Sequence, residues 1–326
     1  MLQWCMVYEF RRYRRHNIKI AALVSVFLSA CGGGREELPA PEIKVSTPAE
    51  VARRLEQENE QQARQPPGDD EAGDSPSEIR VIRERGYIVY AMTAADQKPF
   101  FYIDARTGQF IGLDVELGYE IANRLGVRAV FNRDSASFDS VVQKVINKEA
   151  DIALSKLSRT MRRAERVRYT NSYIEFRQAL LVNRLEFAKI GPEENLPAFI
   201  RNFKGRLGVI KNSSYANYAT MNFPDAIIET FDSWNATVDA LFEGKVLAIY
   251  RDEGEVQIIT KTRENASILM KPVYINDKRD PIAMAVSPDA PLLQEWLNLF
   301  LDEYLLQNRH ELTVASLVER HFVGVE

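Results

Sequence analysis

The stretch Asp151-Ile-Ala-Leu-Ser155-Lys156-Leu-Ser158-Arg159-Thr160-Met-Arg-Arg163 runs a short apolar strand into small hydroxyl residues and then into a basic helix start. A turn of this kind is suited to gripping a carboxylate. Free backbone N–H groups and the positive end of the helix dipole gather at a helix N-terminus, the hydroxyls of Ser155 and Ser158 precede it, and the Arg163 guanidinium follows. The chemistry is recognition of a small anionic or zwitterionic molecule. A second turn, Lys211-Asn212-Ser213-Ser214, follows the strand Gly205 to Ile210, and a further apolar strand, Val246 to Tyr250, runs into Asp252.

Each of these residues also has a plainer role. Arg163 stands among Arg159, Arg162 and Arg166, and a basic helix face is ordinarily just solvated. Asp252 can cap the helix that begins at Glu253, Ser213 and Ser214 can form an N-cap, and Phe138 can be core. No zinc ligand set, nucleophile elbow or phosphate loop is visible. The three histidines, His16, His310 and His321, are too scattered for a catalytic cluster, and the last two read as surface residues. No catalytic residue, metal or cofactor is expected.

These residues have to be held by a framework of two domains, since 326 residues exceed one hydrophobic core and the 45% apolar, 27% charged composition is that of a globular protein. Arg11, Arg12, Arg14, Arg15 and Lys19 precede the apolar run Ile20 to Leu28, which ends in Leu28-Ser29-Ala30-Cys31. The run is too short to span a membrane. Small residues before a cysteine resemble the bacterial lipobox, so residues 1–31 are expected to be a lipoprotein signal peptide with Cys31 lipidated, the alternatives being an uncleaved anchor or a plain signal peptide. Removing residues 1–31 takes five of the 42 Lys/Arg and one of the 46 Asp/Glu, leaving 37 against 45, a net charge of −8. That balance argues against nucleic-acid binding. Cys5 and Cys31 are the two cysteines, so the expected mature chain has no disulfide and rests on its core.

Residues 32–78, with Gly32-Gly-Gly34, six prolines and few large apolar residues, read as a disordered tether. Beyond it, strand 86–91, helix 114–125, strand 127–131, helix 138–147, strand 151–154 and helix 160–167 alternate. The pattern then restarts with strands 178–182 and 205–210, a helix from Tyr215, a helix from Ser233 to Phe242, and strand 246–250. Such βα alternation favours a mostly parallel sheet with ligands at the carboxyl ends of its strands.

Five ordered motifs carry a resemblance: Pro99-Phe100 before Gly112-Leu-Asp114-Val-Glu116; Phe138-Asp139 before Lys148-Glu-Ala-Asp151; the Ser155, Ser158, Arg163 turn; Gly208-Val-Ile-Lys-Asn-Ser213-Ser214; and Gly244-Lys-Val-Leu-Ala-Ile-Tyr-Arg-Asp252. Over residues 79–326 the chain resembles the extracellular solute-binding proteins of ABC importers, family 3, the group that binds amino acids. The resemblance implies an α/β, two-lobed periplasmic-binding-protein fold of type II with two crossover hinge strands that closes on its ligand. It places lobe 1 at 79–182 plus 279–326 and lobe 2 at 183–278. It implies that Arg163 pairs with the α-carboxylate, that Ser158, Ser213 and Ser214 hydrogen-bond it, that Asp252 accepts the α-ammonium, and that Phe138 packs on the side chain. It also implies an ABC permease in the inner membrane as partner and an extracytoplasmic, lipid-anchored location. Relatives often carry Gly or Ser where this chain has Lys156, and an aromatic residue where it has Gln97-Lys98. If Lys156 and Lys98 point into the pocket, beside Gln97, an acidic or amide ligand side chain is favoured. A ligand-sensing lipoprotein is the alternative function. A cyclohexadienyl-dehydratase-like enzyme fits less well, since it needs an acid after the lobe 2 turn and Ser213-Ser214-Tyr215-Ala216 has none.

Overall fold

The computed structural model describes residues 47–62, 77–189, 200, 202–308 and 312–322, all within one compact unit, Val45–Glu326. Residues 1–31, expected to be a signal peptide, with Cys5 and Cys31, and also His310, lie outside the described residues. Ten strands are present among those described: β1 Tyr87–Thr93, β2 Tyr102–Ile103, β3 Phe110–Ile111, β4 Arg128–Ser135, β5 Ile152–Ala153, β6 Arg168–Asn183, β7 Arg206–Ile210, β8 Ile227–Phe231, β9 Ala248–Asp252 and β10 Met270–Val286. Eight of them form one sheet in the order β4-β1-β5-β10-β6-β9-β7-β8.

The two ends of the sheet are parallel and its middle is antiparallel. β1 pairs in parallel with β4 and β5, and β7 pairs in parallel with β8 and β9. Between these halves run β6 and β10, of 16 and 17 residues, antiparallel to one another from Met270 opposite Asn183 to Val286 opposite Arg168. The mostly parallel sheet expected from the alternation therefore holds for each lobe and not for the join. Runs such as 178–182 and 281–286 look like separate short strands because only their apolar stretches stand out, whereas the backbone continues through the polar residues Arg177, Lys278 and Arg279.

Alternation along the strands gives each lobe a core on both faces of its sheet. In the first lobe Ile88, Tyr90 and Met92 of β1 pack with Leu117, Ile121 and Leu297, while Ala91 faces Val141, Val145 and Leu157. In the second, Ala248 and Tyr250 of β9 pack with Phe203, Leu207 and Tyr215, while Ile249 meets Val238, Leu241 and Val256.

Two expectations are corrected here. Within the stretch read as a disordered tether, Pro48–Gln62 is a helix. It is polar enough to look unstructured, but Ala52 and Leu55 are buried against the first lobe. Its Asn59 is 2% exposed, donating to the Val127 carbonyl and to Asn123 at 2.8 Å each and accepting from the Ala129 N–H at 2.9 Å. One amide thus pairs with the otherwise open edge of β4. Second, His321 is not a surface residue: it is buried on the helix Val314–Phe322, and its Nδ1 lies 3.0 Å from the Tyr102 hydroxyl. Lys98, beside the cis peptide to Pro99, stacks over the Tyr102 and Phe322 rings at 4.8 and 4.4 Å.

Replacing Asn59 by Ala should lower stability by about 1–3 kcal/mol, the cost of unmet buried polar groups, and should speed proteolysis within 48–62; urea unfolding and limited digestion measure both. Burial, with the charges of Arg320 and Lys98 nearby, pushes His321 down to about 3. The unfolded chain takes up a proton below its ordinary value near 6.5 and the folded chain does not, so stability is lost as pH falls through this window. His321→Gln should remove about 2 kcal/mol of the wild-type loss between pH 7 and pH 5, read by urea unfolding at both.

Candidate functional site

The site is built where the first lobe's strand ends meet the second lobe across the long strands. After β5 the chain turns through Lys156, whose φ of +47° lies in the left-handed region. Two hydrogen bonds fix this turn: the Lys156 N–H donates to Asp114 at 2.7 Å, and the Thr93 N–H donates to the Ser155 hydroxyl at 3.1 Å. Asp114 also accepts from the Tyr173 hydroxyl at 2.7 Å, and burial pushes its carboxyl up to about 7. The chain then lies against β10. Ser158 bridges Ile282, and the Ala283 and Arg159 N–H groups donate to the Leu157 and Pro281 carbonyls at 3.0 and 2.8 Å.

A cleft between the lobes is lined by Phe138, Lys156, Ser158, Arg163, Ser213, Ser214, Tyr215, Arg251, Asp252, Asp280 and Ile282. Seven of the nine residues expected at the site from sequence therefore converge. Ser155 is fully buried and ties β5 to β1 instead. Gln97 stands outside the lining, where its side-chain oxygen accepts from Arg251 Nη2 at 3.1 Å.

The first turn differs from its expected form. The helix is four residues long, Met161–Ala164, and the Thr160 hydroxyl already caps it by accepting from the Arg163 N–H at 3.3 Å. Arg163 is 6% exposed. Its Nε and Nη2 donate to Asp139 at 3.0 and 2.9 Å, and Nη1 to the Ser158 carbonyl at 3.3 Å. These bonds use three of the five N–H groups that a guanidinium carries. The second turn is a fuller helix start, Ser214–Asn222. Ser213 is its cap, accepting from the Ala216 N–H at 3.3 Å and donating to the Ile210 carbonyl at 2.7 Å, and the Ser214 hydroxyl donates across the cleft to Ser158 at 2.9 Å.

Lys156 enters the cleft and crosses it. Its Nζ lies 3.0 Å from Asp252 and 2.8 Å from Glu255, between the rings of Phe100 and Phe176 at 5.2 and 5.3 Å. Asp252 also caps the helix Glu253–Thr262, accepting from the Glu255 N–H at 3.1 Å, and Arg251 Nε sits 3.4 Å from its other oxygen. Burial alone would push the Asp252 carboxyl up, but the charges of Lys156 and Arg251 outweigh it and hold the carboxyl below the ordinary range. Lys156 and Lys98 were expected to favour an acidic or amide ligand side chain if they pointed into the pocket, and Lys98 lies outside the lining, over the Tyr102 and Phe322 rings. Lys156 does line the cleft, but its charge is already answered by two acids of the same chain.

Four further residues shape the site: Asp139, Arg251, Glu255 and Asp280. Asp252-x-x-Glu255 reads as a capping box, which hides the fact that the Glu255 side chain turns to Lys156. Asp280 had one signal, an acid placed directly before the apolar run Pro281 to Val286.

Replacing Lys156 by Ala breaks a buried ion pair and should cost about 3 kcal/mol in urea unfolding.

The family described as bacterial extracellular solute-binding proteins, family 3, matches residues 89–322. The arginine-binding periplasmic protein of Mannheimia haemolytica is 23% identical over 155 residues, 47% of this chain and 59% of that protein. The ABC transporter arginine-binding protein 1 of Escherichia coli K12 is 24% identical over 213 residues, 63% of this chain and 80% of that one. Among solved structures, an ancestral amino acid-binding protein described as a precursor of cyclohexadienyl dehydratase superposes with a TM-score of 0.60 at 23% identity, over 76% of this chain and all of its own. The long hinge strands, the cleft and the family match over residues 89–322 lead to one conclusion: the chain belongs to the bacterial extracellular solute-binding proteins of family 3.

Proposed function

We propose that this protein is a lipid-anchored receptor that captures an amino acid, or a related small carboxylate-bearing solute, and delivers it to an ABC permease. The observation that carries this reading is one buried cleft to which both lobes contribute charged and hydroxyl groups: Ser158 and Arg163 from the first, Ser214, Arg251 and Asp252 from the second. A zwitterion leaving water needs a fixed cation at one end and an anion at the other, or desolvation exceeds what burial returns. Arg163 presents its guanidinium to the cleft, and the start of the helix Ser214–Asn222 supplies backbone donors to the same lining, a combination suited to a carboxylate. Contacts made by both lobes to one solute would tie closure to occupancy, which is what a membrane partner can read. The arginine-binding names of two relatives support an amino acid as solute, and the sequence before Cys31 supports the anchor.

Thermal melting against a panel of amino acids tests the receptor role, since a ligand at about 100 times its Kd adds roughly 2.7 kcal/mol. Arg163→Ala should weaken the responding ligand by about 100-fold, and affinity within threefold of wild type would remove the carboxylate assignment. Cys31→Ser should move the protein from the membrane fraction to the soluble one, and continued partition with membranes would remove the lipid anchor.

A further inference from the structure

The cleft holds three cations, and each already faces an acid of the same chain. Arg163 is paired with Asp139, and Lys156 and Arg251 share Asp252 and Glu255. Both oxygens of Asp252 are occupied, one by the Glu255 N–H and the other by Lys156 and Arg251. The charge of Asp252 is therefore already answered by two cations of the same chain. The remaining acid of the lining is Asp280 on β10, which is 1% exposed. Its Oδ2 accepts from the Ser158 hydroxyl at 3.1 Å, while its Oδ1 is buried with no hydrogen-bond partner. Two donors of the same lining make no hydrogen bond of ordinary geometry, Arg251 Nη1 and the Tyr215 hydroxyl, and the hydroxyl faces the Asp280 carboxyl.

We propose that Asp280, rather than Asp252, receives the ammonium group of an α-amino acid in this cleft, with Arg251 Nη1 donating to the carboxylate. The assignment rests on the receptor reading above and names the charged partners within that site. The pairing supports it: Asp280 is the acid in this lining with no cation paired to it, and an α-amino acid brings an ammonium for that carboxyl while its own carboxylate goes to the open Nη1 of Arg251. Lys156 acts as a tethered amine on Asp252 and holds the lobes together there, so the solute ammonium goes to the neighbouring carboxylate.

The groups facing Asp280 come from every element around it. Burial and the charge of Asp252 disfavour its ionised form, the Ser158 hydroxyl, Tyr215 and the charge of Lys156 favour it, and the carboxyl is pushed up to about 6. Tyr218 and Tyr250 also lie within its field and stay neutral. An ammonium binds the ionised carboxyl, so affinity should fall about tenfold from pH 7 to pH 5, as Asp280 takes up a proton.

The experiment is calorimetric titration of the full chain and of Asp280→Asn with the common L-α-amino acids, using L-lactate and L-malate as counterparts of alanine and aspartate that lack the amine. In wild type the best amino acid should bind with the stated pH dependence and the amine-free acids at least 30-fold more weakly; Asp280→Asn should lose at least 30-fold and become flat between pH 5 and pH 7. Should Asp280→Asn fail to fold, the amine-free comparison still decides. Asp280→Asn affinity within threefold of wild type, or amine-free acids that bind within threefold of their amino acids, overturns the assignment while leaving the receptor reading standing. Absence of binding by every amino acid overturns the Asp280 assignment, and absence of binding by the amine-free acids as well removes the receptor reading.

Discussion

The ion pair that Lys156 makes across the cleft is the interaction on which the site depends. A buried ammonium is tolerable only where opposite charge and further hydrogen-bond acceptors surround it, and here Asp252 and Glu255 supply both while two aromatic rings exclude water. The pair joins the strand end after β5 in one lobe to the helix start after β9 in the other. It therefore fixes their spacing, and the hydroxyl contact from Ser214 to Ser158 and the contact from Arg251 to Gln97 follow from the same approach. Each of these is modest alone. Together they make the cleft a set of groups already paired among themselves, so a solute is recognised by whatever they leave over.

What they leave over is set by the hinge strands. β10 runs through both lobes, and its pairing with the Leu157 to Arg159 segment puts Asp280 directly beside Ser158. A carboxylate at the join of two lobes faces low-dielectric core from two sides, which is why burial dominates its titration. Asp114 shows the other outcome of burial. It is equally enclosed, but its two oxygens take the Tyr173 hydroxyl and the Lys156 N–H, so it serves the turn and not the cleft.

Much of this was legible in the sequence because it rested on local rules. Ser213, Ser233 and Asp252 each cap a helix by accepting the N–H three residues on, and glycine ends the helix at Gly126 in the left-handed conformation. Motif order carried the fold and brought Phe138, Lys156, Ser158, Arg163, Ser213, Ser214 and Asp252 to one cleft. The parts that were not legible depend on partners distant in sequence. Nothing local to Ser155 says that its hydroxyl will bond Thr93, 62 residues earlier. Nothing local to Pro48–Gln62 says that a polar segment will be ordered, because its order comes from Asn59 meeting the β4 edge.

Lys156 joins both kinds of information. Its left-handed backbone, with φ of +47°, is one that a glycine adopts without strain and a lysine does not. A side chain with four methylenes can persist there only if the native structure over-determines it. The N–H bond to Asp114 holds the backbone, and the two acids and two rings hold the far end, so the residue is pinned at both ends of its length. A glycine or serine at this position would relax the turn or shorten the reach, and it would leave Asp252 and Glu255 facing the cleft with Arg251 alone. The lysine therefore converts an open acidic corner into an internally neutralised one, and the polarity of the cleft passes to Asp280 as a direct consequence of charge balance.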